Sequence, residues 1–207
     1  MGSFKFYYGP MFSGKSTLAL QTAFNLRQAG KDYLLFTMHD RSGESKATAR
    51  IGLEESAIVV NGGSDLFRIV NENTDSQNFT LLFDEVQFLL PKQIDQIAQL
   101  VDSNGERHVD AYAFGLLRDF QSHLFHGSKR CLELADEIHA LQLVSPCWCG
   151  SRGTHNARTD DGEFLTQGIQ VVVGDQSNEG IGYESLCRKH WMRKQTRKEA
   201  ERLGLVT

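Results

Sequence analysis

The amino-acid sequence predicts an α/β protein, a mostly parallel sheet flanked by helices with a phosphate-binding loop, plus a smaller second unit. Three observations carry that expectation. Short apolar strands alternate with helical segments through the first two thirds of the chain, and "GPMFSGKST" falls between the first strand and the first helix. From Pro146 to Trp191 the texture changes to Cys, Gly, Arg and Asp with weak hydrophobic runs. Strands alternating with helices bury both faces of a sheet, and that arrangement calls for parallel strands joined by helical crossovers.

The elements follow in order. Phe4–Tyr8 reads as a short aromatic strand. Residues Ser16 to Ala29 read as a helix, because Leu18, Thr22, Ala23, Leu26 and Ala29 recur at helical spacing and Gly30 is placed to stop it. Tyr33–Thr37 reads as a second strand. The segment Met38–Gly52 is polar and basic without a period and reads as a long loop. Ala57–Val60 and Phe79–Phe83 read as buried strands, with a short helix near Asp65–Asn71 between them. Pro91 suits the first turn of a helix whose face is Ile94, Ile97, Ala98 and Val101. His108–Gly115 reads as another strand, followed by the loop "LLRDFQSHLF". Ser128 is then expected to N-cap a helix carrying Leu132, Ala135 and Ile138.

Composition narrows the class. At 207 residues, 40% hydrophobic and 23% charged, the chain can bury a substantial core and is not a disordered sequence. A formal net charge of −4 gives no overall attraction to nucleic acid. Between Arg188 and Arg202 seven basic residues face two acidic ones, a basic tail expected to be a solvated helix face or a frayed end. No window approaches the length of a membrane span, and "MGSFKFYYGP" lacks the apolar core of a signal peptide. Gly2 does not open a myristoylation motif, since Phe6 stands where Ser or Thr is required. A cytoplasmic location is expected, and there four cysteines suggest metal ligands or free thiols sooner than disulfides.

Gly9, Pro10, Met11, Phe12, Ser13, Gly14, Lys15 and Ser16 match G-x-x-x-x-G-K-[ST]. Glycines let the backbone curl until several N–H groups face phosphate oxygens. Lys15 adds a point charge on the outer phosphates, Ser16 offers a hydroxyl to Mg²⁺, and the following helix presents its positive end to the same anion. The preceding strand and following helix supply the context that the bare pattern lacks.

"LLFDEVQFLLP" then places two adjacent carboxylates, Asp84 and Glu85, at the end of an apolar strand. A strand simply ending in water would explain them. With a phosphate loop present, a division of labour explains them better. Asp84 serves Mg²⁺, usually through water, and Glu85 acts as base on an attacking hydroxyl. Val86 and Gln87 behind them are grouped with the same nucleotide site.

Cys147 and Cys149 in "SPCWCGSRG", with Cys187 and His190 in "LCRKHW", form two close pairs suited to a structural, tetrahedral Zn²⁺. Free buried thiols are the alternative. Cys131, on an expected helix, reads as a core residue.

With these motifs placed, the chain resembles the type II thymidine kinases, the cytosolic kind of bacteria, vertebrates and some viruses. The resemblance rests on "GPMFSGKST", "FDEVQF", "FGLLRDFQSHLFHGS", "CWCG", "QVVVG" and "YESLCRKH", in that order over nearly the whole chain. "C-x-C" with "C-R-K-H" is similar to the enterobacterial-type members. The family implies a P-loop, RecA-like core and a small zinc-binding lasso domain, here 1–143 and 144–192, with 193–207 as the basic tail. It implies ATP, Mg²⁺ and structural Zn²⁺, thymidine as substrate (deoxyuridine too), a homotetramer, and neither membrane nor specific nucleic-acid partners. It assigns Gly9–Ser16 to the ATP phosphates, Asp84 to Mg²⁺ and Glu85 to the thymidine 5′-hydroxyl, and it carries Arg41 into the phosphate region. Phe88, Leu116, Phe120 and Phe125 match walls of the nucleoside pocket, although Phe88 and Phe125 would by themselves read as core. Gln170, Val171, Val172, Val173 and Gly174 match the lasso stretch whose backbone reads thymine, and Tyr183 matches the tyrosine that reaches sugar and base. Arg118 is displaced by one position from the bacterial "GLRTDF" pattern and receives no role. His39 stands where many members are acidic, and "GDQSNEGIGYES" is longer than the usual link from lasso to tyrosine.

Two other classes fit parts of the pattern. A motor or nucleic-acid-binding NTPase would use the basic tail, with ATP hydrolysis stimulated by DNA or RNA. A regulatory module would bind ATP and zinc without transferring phosphate. A guanine-reading switch is disfavoured, because the chain has no N-K-x-D motif.

Overall fold

The computed structural model describes residues 2–38, 45–103, 107–142, 145–170 and 180–206. Two compact units share the chain. The first comprises Met1–Tyr8, Gly14–Leu116 and Phe125–Leu141; the second comprises Gly9–Ser13, Leu117–Leu124 and Gln142–Thr207.

The first unit is built on strands β1 (Phe4–Tyr8), β2 (Asp32–Thr37), β5 (Ile58–Val59), β6 (Asn78–Phe83), β7 (His108–Gly115) and β8 (Glu137–Ala140). They form one sheet in the order β5-β2-β6-β7-β1-β8, and every pairing is parallel. The sequence-expected α/β class is therefore what forms. In "NFTLLF" of β6 only Asn78 is exposed, so side chains on both faces of this strand are covered, as a parallel sheet between helices requires. The helices are α1 (Lys15–Gln28), α2 (Leu66–Asn73), α3 (Pro91–Val101) and α4 (His126–Leu134). Ala19, Leu20 and Ala23 of α1 pack with Leu35, Leu82 and Phe114 of the strands. Phe36 and Phe83, on neighbouring strands, stack with centroids 4.7 Å apart. Each large side chain so buried stabilises the fold by about 1.5–3 kcal/mol. Asp65 caps α2 by accepting from the Phe67 N–H at 3.1 Å, and Pro91 opens α3.

Three expectations are corrected. The expected loop at 38–52 contains β3 (Lys46–Thr48), paired antiparallel with β4 (Glu54–Ser56). This ribbon is polar, with Ala47 its one buried residue, so no apolar alternation announces it. Ser128 is not the N-cap: α4 already starts at His126, and the buried Ser128 hydroxyl donates to the Leu116 carbonyl. Ile138 is not on that helix. The chain becomes extended at Ala135, Asp136 bonds Phe4 through backbone and carboxylate, and the next residues join the sheet as β8 beside β1. An available sheet edge outweighs helical periodicity there.

In the second unit, β9 (His155–Asp160) is the centre of an antiparallel sheet, between β10 (Glu163–Phe164) and β11 (Ile181–Leu186). Asp161 and Gly162, both at positive φ, make the two-residue β9–β10 turn that an Asp-Gly pair favours. Cys147, Ala157 and Leu186 form a small core against Trp148, Phe164 and Trp191. Helices α5 (Arg188–Met192) and α6 (Arg197–Arg202) follow. The basic stretch is not frayed here. Thr196 caps α6, Ala200 is fully buried, Arg197 and Arg202 pair with Glu201 and Glu199, and Lys198 donates to the Asp161 carbonyl. No helix among the described residues is long and apolar enough to cross a membrane.

Candidate functional site

The phosphate loop leaves the end of β1 and enters α1. Phe12 and Gly14 have φ of 63° and 76°. Left-handed residues bend a loop so that successive N–H groups gather into a concave, anion-binding nest. At Phe12, a non-glycine, that conformation is costly, and such cost concentrates at functional sites. Met11 is held on both sides: its N–H donates to Asn156 Oδ1 at 2.8 Å, and its carbonyl accepts from the Ser185 hydroxyl at 3.2 Å. Lys15 is 8% exposed although it is a lysine, so its stem is buried at the start of α1.

Asp84 follows β6 and is 4% exposed. Burial and the adjacent Glu85 carboxylate push its acidity constant up to about 7, against the opposing influence of the Ser16 hydroxyl, Lys15 and the Glu85 N–H. The phosphate-loop serine and lysine thus both act on the Asp84 carboxyl. A divalent cation beside Asp84 and Ser16 would supply the charge that holds this carboxylate ionised.

Glu85 sits at φ 58°, ahead of a single 3-10 turn at Val86–Phe88. Gln87 organises this corner. It is buried, its Oε1 accepts from the Leu116 N–H at 2.9 Å, and its Nε2 donates to the Glu85 carboxylate. Gln87 was grouped with the nucleotide ligands from sequence; in the structure its side chain is committed to Leu116 and Glu85. No motif announces that partnership, since Leu116 lies just past β7, far from Gln87 in the chain.

Of the aromatic and apolar positions taken from the resemblance, Phe88 and Phe125 meet edge to face with centroids 5.8 Å apart. Leu116 is half-buried at the end of β7, and Phe125 is buried just before α4. Phe120 and Tyr183, both in the second unit, flank one side chain that sequence reasoning missed. Arg158 is 2% exposed, with its guanidinium 4.0 Å from the Phe120 ring centroid and 5.4 Å from that of Tyr183. Gln170 Nε2 donates to Asp119 at 3.0 Å. Arg41, Val171, Val172, Val173 and Gly174 lie outside the described residues.

The zinc expectation has a geometric counterpart. One ligand atom from each of Cys147, Cys149, Cys187 and His190 lies within 4.8 Å of the others. His190 Nδ1 is 3.3 Å from Cys147 Sγ and 3.5 Å from Cys187 Sγ, and the imidazole stacks on Trp148 at 4.0 Å. Ligand–ligand separations of roughly 3.3–3.8 Å belong to a tetrahedral Zn²⁺ site with bonds near 2.0–2.3 Å, so three thiolates and one imidazole fit the metal. Burial pushes the Cys147 thiol up to about 11, whereas hydrogen bonds with Ser151 draw Cys149 down to about 7. Cys131 is fully buried, consistent with a core role.

Comparison with known proteins decides the family. A family profile described as Thymidine kinase matches residues 2–191. The chain belongs to the thymidine kinase family. The thymidine kinase of Streptomyces coelicolor is 47% identical over 204 residues, covering 97% of this chain and 93% of that protein. That of Cutibacterium acnes is 44% identical over 193 residues, covering 92% and 88%. The Haemophilus influenzae thymidine kinase is 34% identical over 198 residues, covering 94% and 98%. The matched span therefore runs through both units.

Proposed function

We propose that this protein is an ATP-dependent thymidine kinase, moving the γ-phosphoryl group of ATP to the 5′-hydroxyl of thymidine, and of deoxyuridine, to give the 5′-monophosphate and ADP. The observation that carries the reading is the convergence of Lys15, Ser16 and Asp84 with Glu85 next in the chain, within a thymidine-kinase family sequence. Gly9–Ser16 would cradle the ATP phosphates. Asp84 and Ser16 would hold Mg²⁺, which when bound neutralises charge on the phosphates. Glu85 takes the proton of the acceptor hydroxyl as its oxygen attacks in line, and Gln87 holds that carboxylate in place. Cys147, Cys149, Cys187 and His190 would hold a structural Zn²⁺ with no open position, leaving the chemistry to other groups. Leu116, Phe88, Phe120, Phe125, Gln170 and Tyr183 are assigned to the nucleoside, residues 144–192 to a lasso domain over it, and the assembled enzyme to a cytoplasmic homotetramer.

The test is direct. Purified zinc-loaded protein is incubated with Mg·ATP and a panel of nucleosides, and products are identified by mass. Thymidine and deoxyuridine monophosphates are expected, with purine nucleosides unreacted. ATP hydrolysis stimulated by DNA, with no nucleotide product, would overturn the reading.

A further inference from the structure

We propose that Arg158 is a positioning residue for nucleoside recognition, setting the Tyr183 phenol and the backbone at Ile169–Gln170 from a single buried guanidinium. The inference rests on the kinase reading above and adds to it a residue to which the family motifs assign no role.

Arg158 lies on the central strand β9, directly opposite Tyr183 of β11 in the antiparallel register, so both side chains share one face of the sheet. Its Nε donates to the Tyr183 hydroxyl oxygen at 3.0 Å. Its two terminal nitrogens donate to the carbonyls of Ile169 at 2.6 Å and Gln170 at 3.0 Å. These three partners are neutral, and among the described residues the guanidinium also lies over the faces of Phe120 and Tyr183. A buried cation normally faces a carboxylate that offsets its lost hydration. Among the described residues this one is directed at a phenol and at the backbone where the segment given to base reading begins.

The local backbone is shaped around it. Gly168 has φ +139°, a conformation side-chain-bearing residues rarely adopt, and a Cβ there would stand 3.4 Å from the Arg158 terminal nitrogen. Gln170 is tied in turn to Asp119, whose other oxygen accepts the N–H groups of Gln121 and His123. Because the phenol oxygen accepts from Arg158, its own hydrogen must point away from the guanidinium. The adjacent cation also strengthens that O–H as a donor. One planar fork thus fixes the direction of a recognition group and the starting point of a recognition segment. Lysine, a single point charge, cannot serve all three acceptors at once.

The experiment compares wild type, Arg158→Lys, Arg158→Met, Tyr183→Phe and the Arg158→Met/Tyr183→Phe double variant, each as zinc-loaded full-length protein. Thymidine KM is expected to rise about 10- to 100-fold in Arg158→Met, the loss of charge-assisted hydrogen bonds, with KM for ATP within about twofold. In the Tyr183→Phe background the further cost of Arg158→Met should be much smaller, since the two residues act as a unit. The independent readout is fluorine NMR of protein labelled with 3-fluorotyrosine, Tyr183 being assigned by its loss in Tyr183→Phe. In Arg158→Lys the Tyr183 resonance should move while those of Tyr7, Tyr8, Tyr33 and Tyr112, all in the other unit, stay in place. A stationary Tyr183 resonance, fully multiplicative kinetic effects, or an equal rise in KM for ATP would overturn the proposal. If Arg158→Met does not fold, Arg158→Lys and Tyr183→Phe decide it by the same readouts. If the wild type makes no thymidine monophosphate, the kinase reading fails, and the fluorine spectrum still decides whether Arg158 holds Tyr183.

Discussion

Asp84 and Glu85 adjoin in sequence and divide in environment, and two expected outcomes follow from that division. Asp84 keeps its proton to about pH 7 in the folded, metal-free protein, whereas the unfolded chain loses it near an ordinary carboxylate value. Between those values the folded state binds more protons, so this group lowers stability as pH rises through the window and by a constant amount above it. Asp84→Asn, zinc-loaded and in magnesium-free buffer, is therefore expected to be more stable than wild type at pH 8 by on the order of 1–4 kcal/mol, and to melt at nearly the same temperature at pH 3.5. Calorimetry at the two pH values checks it, and the same variant should lose activity with Mg·ATP. Glu85→Gln should cut turnover at least about 100-fold while ATP binding by titration calorimetry persists. Gln87→Leu should lower kcat by about 10-fold through Glu85, with both KM values little changed. The carboxylates were legible because chain adjacency and the phosphate loop announce them. Gln87 and Arg158 were not, because what defines them is a partner distant in sequence: Leu116, just past β7, for one, and Tyr183 on β11 for the other.

Elements explain why these side chains arrive where they do. The Val86–Phe88 turn that carries Glu85 is seated on the start of α4 through Gly127. A Cβ at Gly127 would stand 2.6 Å from the Leu89 carbonyl oxygen and 2.7 Å from that of Val86, distances real structures do not show. Both obstacles are backbone, so the turn itself must move. Gly127→Ala is expected to cost about 1–3 kcal/mol in urea denaturation and to lower kcat more than it raises either KM, since the turn displaced is the one that places Glu85. An unchanged kcat in a destabilised variant would limit Gly127 to packing. Gly115 is confined in the same way, its Cβ position lying 2.6 Å from Gln87 Oε1. The strands β1 and β7 could be read to their ends because dense aromatic and apolar residues fill them. By contrast, β3, β4 and β8 carry few buried residues, and each exists because a neighbouring edge needs a partner. Periodicity reports burial, so elements held by pairing alone escape it.

At the scale of the molecule, the chain is divided so that Gly9–Ser13, five of the eight phosphate-loop residues, groups with the zinc-bearing unit, while Gly14, Lys15 and Ser16 group with the sheet. The sequence placed that loop wholly in an ATP-binding domain because contiguous motifs read as belonging to one unit. The structure shows what the motif cannot: Met11 is bonded to Asn156 of β9 and Ser185 of β11. Two residues beyond Ser185, the chain supplies Cys187, and His190 follows three residues later, so the strand that holds the loop also feeds the metal cluster. Removing zinc should therefore reach the nucleotide as well as the nucleoside. With the ion chelated, uncompensated thiols and imidazole remain beside Ala157 and Leu186, a small buried core among the described residues and too little to hold β9 and β11 in register. The expected result is a rise in Kd for ATP alongside loss of thymidine binding, both restored by equimolar Zn²⁺ and measured by calorimetry on each ligand separately. Asn156→Ala isolates the linkage from the metal. It leaves the four zinc ligands intact, deprives Met11 of its acceptor, and should raise KM for ATP about 3- to 10-fold at full zinc content, the effect of one lost hydrogen bond. If chelation abolishes thymidine binding yet leaves ATP affinity untouched, the loop is held by its junction with α1 alone, and the bonds to Asn156 and Ser185 are incidental to nucleotide binding.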